Sequence, residues 1–77
     1  MWKEIHGFAS PYEYGRFLRF IEGQVKAGQI REIDADLDYS YGEIYGGRWF
    51  EHINSGAVWR LVPPDFPFKG LWEPVFR

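Results

Sequence analysis

The sequence has no cysteine in its 77 residues, one methionine and two histidines. Without cysteine there can be no disulfide staple, and Cys-based metal frameworks are excluded. Net charge is also scarce: 9 Lys+Arg against 11 Asp+Glu give −2. That balance argues against a nucleic-acid binder that works through bulk positive charge. Long apolar runs are missing, and the charge-free stretches fall far short of the ~20 residues a membrane helix needs. No membrane association is therefore expected. Met1-Trp2-Lys3-Glu4-Ile5-His6 carries an early Glu and no apolar core. We expect no secretory signal, and a cytoplasmic location by default.

Aromatic side chains are abundant: 7 Phe, 5 Tyr and 4 Trp make up 21% of the chain. A chain this short is expected to form one domain, residues 1–77, burying only about 60% of its unfolded surface. Rings that each bury ~150–250 Å² take over the work of the missing staples. A homodimer would add further burial. With 45% hydrophobic residues and little net charge, disorder is not expected.

The clearest local signal is a helix start. Ser10-Pro11-Tyr12-Glu13 reads as a capping box with proline at the first helical position. Tyr14, Phe17, Leu18, Ile21 and Val25 follow as one apolar stripe, and Gly28 is the natural stop. The spacing predicts a helix over about 11–27. The period then drops to two. Ile33, Ala35, Leu37 and Tyr39 alternate with Glu32, Asp34, Asp36 and Asp38, predicting a half-buried strand with one acidic face.

Ser40-Tyr41-Gly42 reads as a turn. Ile44 to Ile53 reads as a strand with a bulge at Gly46-Gly47. Asn54-Ser55-Gly56 is a hairpin signal, and Ala57 to Val62 a further strand. A final strand over about 70–76 is confined to an edge by Pro74. The expected fold is α+β, in two layers: one amphipathic helix on a three- to four-stranded antiparallel meander, with the sheet over about 31–62. The Ile33/Ala35/Leu37/Tyr39 face is the expected partner of the helix.

Few constellations carry chemistry. Asp34-x-Asp36-x-Asp38 fails as a calcium loop, because Tyr39 and Tyr45 stand where glycine and a bidentate glutamate belong. No metal or cofactor is expected. Ser10, Ser40 and Ser55 fall at a cap and two turns, no nucleophile motif is present, and no phosphate-binding glycine pattern occurs. We expect a protein that is not an enzyme.

Two patterns point to binding. The first is charge. Residues 32–45 hold Glu32, Asp34, Asp36, Asp38 and Glu43 with no base, and three aspartates ~7 Å apart along one face would favour a cationic partner. Exposed members of Tyr39, Tyr41, Tyr45 and Trp49 would anchor such a contact. The second is ring beside guanidinium. Arg48-Trp49 and Trp59-Arg60 resemble a single-strand nucleic-acid platform in kind, though the adjacent acidic strand makes nucleic acid the lesser expectation. A third option is a small-ligand or catalytic site around His52.

Gly46-Gly47-Arg48-Trp49-Phe50, Trp59-Arg60-Leu61-Val62 and Pro64-Asp65-Phe66-Pro67-Phe68-Lys69-Gly70-Leu71-Trp72 together resemble small, uncharacterised bacterial proteins. In type these are similar to the immunity proteins of polymorphic toxin systems. The resemblance covers about residues 46–72 and carries no functional residue with it. It implies only a cytoplasmic, single-domain, non-enzymatic binder. The acidic strand is compatible with a basic toxin domain as the protein partner, since a toxin acting on nucleic acid presents a basic active site. The leading expectation is thus a protein-binding module of immunity type.

Overall fold

The computed structural model describes residues 2–36, 38–41, 44–65 and 67–76, apart from the side chains of Ser40, Tyr41, Ile44 and Tyr45. The helix forms where its cap chemistry places it. Helix α1 spans Pro11–Lys26, and the Ser10 hydroxyl accepts from the Glu13 N–H at 3.1 Å. The Glu13 carboxylate reaches back one residue further than a standard capping box, to the Ala9 N–H at 3.3 Å. At the other end Gly28 adopts φ +76°. The Gly28 N–H donates to Val25 O and the Gln29 N–H to Gln24 O, the two bonds of a Schellman motif.

The rest is strand. β1 (Ile30–Ile33), β4 (Arg48–His52), β5 (Val58–Val62) and β6 (Leu71–Pro74) form one antiparallel sheet in the order β1-β4-β5-β6. β2 (Ser40–Tyr41) and β3 (Ile44–Tyr45) form a separate two-stranded ladder. One helix on a four-stranded antiparallel sheet is the α+β architecture the sequence predicts. Ile21 of α1 is buried, and Tyr14, Phe17 and Leu18 pack against a core of Phe8, Ile30, Phe50, Trp59, Leu61 and Trp72. Val25, the last residue of the expected stripe, is exposed.

Several boundaries differ from expectation, each for a physical reason. The alternating acidic segment is not one strand: β1 ends at Ile33, and Asp34, Ala35 and Asp36 lie outside any strand. The alternation survives as exposure, because a segment lying across a surface also turns every second side chain outward. Asp34, Asp36 and Asp38 are exposed, while Ala35 and Tyr39 are half-buried. Leu37 lies outside the described residues.

The helix therefore does not pack on an Ile33/Ala35/Leu37/Tyr39 face. Its partner is the face of Ile30, Phe50, Trp59 and Trp72, as the register Phe50↔Trp59 and the core contacts require. Tyr39 covers the opposite face, on Trp49. Ser40 and Tyr41 are strand rather than turn, paired with Tyr45 and Ile44.

Gly46-Gly47 is a junction between two sheets rather than a bulge, with φ of +83° and +99°. A Cβ on Gly47 would stand 2.9 Å from Val62 Cγ2 and 3.0 Å from Leu61 O, so the chain can pass β5 only as glycine.

The N-terminal segment, for which the sequence offers no strand signal, also joins the structure. Ile5 and Trp72 exchange backbone hydrogen bonds of 2.9 Å, and the Phe8 N–H donates to Lys69 O at 2.8 Å. This arm runs along the outer edge of β6 and lays Trp2 on the core rings. Among the described residues, no helix is long and apolar enough to cross a membrane.

Candidate functional site

β5 is buried on both faces, and that decides what the basic and aromatic residues can do. Arg60 is fully buried. Its Nε donates to Glu73 Oε2 at 2.8 Å across the β5–β6 ladder, its Nη2 forms an ion pair with the same oxygen at 2.8 Å, and its guanidinium lies 5.1 Å from the centroid of the Tyr39 ring. Trp49 is 1% exposed and Trp59 7%. These residues therefore present no stacking platform, and Trp49 cannot serve as an exposed anchor. The physical reason differs by face: Tyr39 lies on Trp49 and over the Arg60 guanidinium, while Trp59 is covered on the helix side by Trp2 and Trp72. Arg48 is exposed but engaged: it grips Glu32 through Nε–Oε2 at 2.9 Å and Nη2–Oε1 at 2.8 Å, and covers the Phe50 ring.

The acidic segment is fastened at both ends. At its start, the Arg48 hydrogen bonds hold the Glu32 carboxyl below its usual range and raise Arg48 in turn. A depressed carboxyl adds stability above its unfolded value, and that stability is lost as pH falls through its folded value. Both side chains are 44% exposed, so solvent screening limits the pair to under about 1 kcal/mol. We expect Glu32→Gln to lower the urea midpoint slightly at pH 7 and not at pH 2. A difference that persists at pH 2 would show a packing effect instead.

At its far end the segment is held by Tyr39. The ring meets Trp49 edge-on at 5.3 Å, and the hydroxyl accepts the Phe76 N–H at 3.3 Å. Between these fastenings Asp36 shapes a turn, its Oδ1 accepting from the Asp38 N–H at 2.9 Å and its carbonyl from the Tyr39 N–H at 3.1 Å. Among the described residues no Lys or Arg forms an ion pair with Asp34, Asp36 or Asp38. The three carboxylates thus stand exposed and, among the described residues, without ion-pair partners. The side chains of Tyr41 and Tyr45, and Glu43, fall outside what is described.

A second constellation surrounds His52. Trp2, His52, Ser55, Ala57 and Trp59 line a concavity of about 280 Å³. His52 Nδ1 lies 3.0 Å from Ser55 Oγ and accepts the Ser55 N–H at 3.3 Å. Ser55 Oγ in turn accepts the Ala57 N–H at 3.2 Å. Trp2 meets both His52 and Trp59 edge-to-face.

A Ser–His pair invites comparison with nucleophilic catalysis, which needs a third group to orient the base. Among the described residues no carboxylate bonds to His52, and no three His, Asp or Glu side chains converge as a metal site. The pair closes the β4–β5 turn. Trp2 is the residue of this site that the sequence does not reveal. Its place depends on the pairing of Ile5 with Trp72, 67 positions along the chain.

A third concavity of about 580 Å³ lies where Phe8 and Tyr14 meet Pro63, Pro64, Pro67 and Phe68. The ladder between Asp65 and Phe68 turns this proline-rich stretch back on itself. No family model, curated protein or solved structure matches the chain.

Proposed function

We propose that this protein is a small, non-enzymatic binding module that uses the acidic segment 34–38 to engage a basic protein partner. The observation that carries this reading is the trio Asp34, Asp36 and Asp38, exposed and without ion-pair partners among the described residues. Like charges held close repel one another, and a cationic surface relieves that repulsion. The fastenings at Glu32 and Tyr39 also matter, because a segment with its shape already set loses less entropy on binding.

Among such binders we favour an immunity-type inhibitor. A toxin that acts on nucleic acid must present a basic surface to phosphate, and an acidic segment is complementary to it. A cytoplasmic site of action follows from that reading.

Affinity capture from the source cells at low ionic strength tests the proposal. The expected partner is one basic chain, released when salt is raised from about 0.05 M to about 0.5 M, where screening shortens to a few ångströms. Capture of an acidic chain, or of one indifferent to salt, would sink it.

A further inference from the structure

We infer that the concavity formed by Trp2, His52, Ser55, Ala57 and Trp59 is a binding site for a small, neutral, planar ring compound that carries a hydrogen-bond acceptor. Size sets the first limit. A cavity of about 150 Å³ holds benzene, and drug-sized ligands occupy roughly 300–1,000 Å³. At about 280 Å³ the site suits a molecule of one or two rings.

Charge sets the second limit. None of the five lining residues is Lys, Arg, Asp or Glu. Among the described lining residues no counter-charge would replace the hydration an ionised ligand loses.

Ring geometry sets the third. Trp2 lies 5.3 Å from His52 and 6.0 Å from Trp59, at interplanar angles of 83° and 90°. Rings at those separations touch each other, which leaves no slot for an ammonium group enclosed by ring faces. A flat ring laid over this corner instead gains burial and edge-to-face contacts.

The polar group sets the fourth. His52 Nδ1 accepts the Ser55 N–H at 3.3 Å, and Ser55 Oγ, which accepts the Ala57 N–H, lies 3.0 Å from the same nitrogen. With Nδ1 held as an acceptor, the neutral imidazole carries its hydrogen on Nε2. Nε2 is then a donor with no partner among the described residues, and it selects an acceptor on the ligand.

Titration of the isotope-labelled protein with 2-quinolone, a neutral two-ring lactam, tests this directly. We expect saturable shifts of the Trp2 and Trp59 indole N–H signals with millimolar or tighter affinity, as about ten non-hydrogen atoms allow. Caprolactam has the same carbonyl on a saturated ring and should bind at least tenfold more weakly. His52→Phe keeps an aromatic wall but removes the donor, and should weaken 2-quinolone about tenfold. Three results would overturn the inference: no saturable shift in the unmodified protein, equal binding of caprolactam, or tighter binding of benzyltrimethylammonium. The unmodified protein decides the matter even where the variant folds poorly.

Discussion

Replacing Glu73 with glutamine is expected to destabilise the protein by about 3 kcal/mol. Arg60 has no solvent exposure, and the Glu73 side chain has 14%. The two residues sit opposite each other in the β5–β6 ladder. Their attraction offsets a large desolvation cost only while both charges are present. Breaking such a pair typically costs ~3–5 kcal/mol, because the surviving ion stays buried without its counter-charge. The small exposure of Glu73 places the effect at the lower end.

A chain of this length has a total stability of roughly 4–12 kcal/mol, so the loss is a large fraction. In a thermal melt it corresponds to a fall of about 15 °C. The paired replacement Arg60→Met with Glu73→Leu is expected to recover most of that fall, since apolar side chains of similar volume remove the desolvation cost altogether. A single substitution costing under about 1 kcal/mol would show that the pair behaves as a surface contact.

The helix and the central hairpin are legible in the sequence because their signals are local. Ser10, Pro11 and Gly28 set the limits of α1 within a residue of where it forms, and Asn54-Ser55-Gly56 places the β4–β5 turn. What stays hidden depends on partners far along the chain. Asp34 to Tyr39 alternates like a strand, yet a strand also needs a neighbour with free backbone groups. β1 has β4 beside it only as far as the Ile33↔Trp49 pair.

The sequence leaves the exposure of Trp49 and Arg60 open, because neither neighbourhood shows that Tyr39 will close over them. Trp2 cannot be placed before Ile5 is known to pair with Trp72. The acidic surface was legible in composition but its shape was not. Asp36 accepts the Asp38 N–H on its side chain and the Tyr39 N–H on its carbonyl, so it shapes the turn as well as carrying charge, and the three aspartates do not share one role.

That difference matters for the second large effect, on association kinetics. Charges steer partners from beyond contact distance and raise on-rates ~10–10³-fold at low salt, whereas rim charges contribute little to how long a complex lasts. Replacing Asp34, Asp36 and Asp38 with asparagine keeps side-chain size and a carbonyl oxygen for the Asp36 turn, so the segment should keep its shape while losing three charges. The change should therefore appear in the rate of encounter. A folded spectrum and an unchanged melting temperature would confirm that only charge has been altered.

The decisive measurement is the association rate constant with the captured partner, for the unmodified protein and for the Asp34→Asn/Asp36→Asn/Asp38→Asn variant, each at about 0.02 M and about 0.3 M salt. The acidic-module proposal predicts an on-rate about tenfold or more lower in the variant at low salt, a nearly unchanged off-rate, and a flattened salt dependence. An on-rate and salt dependence identical to those of the unmodified protein would contradict it.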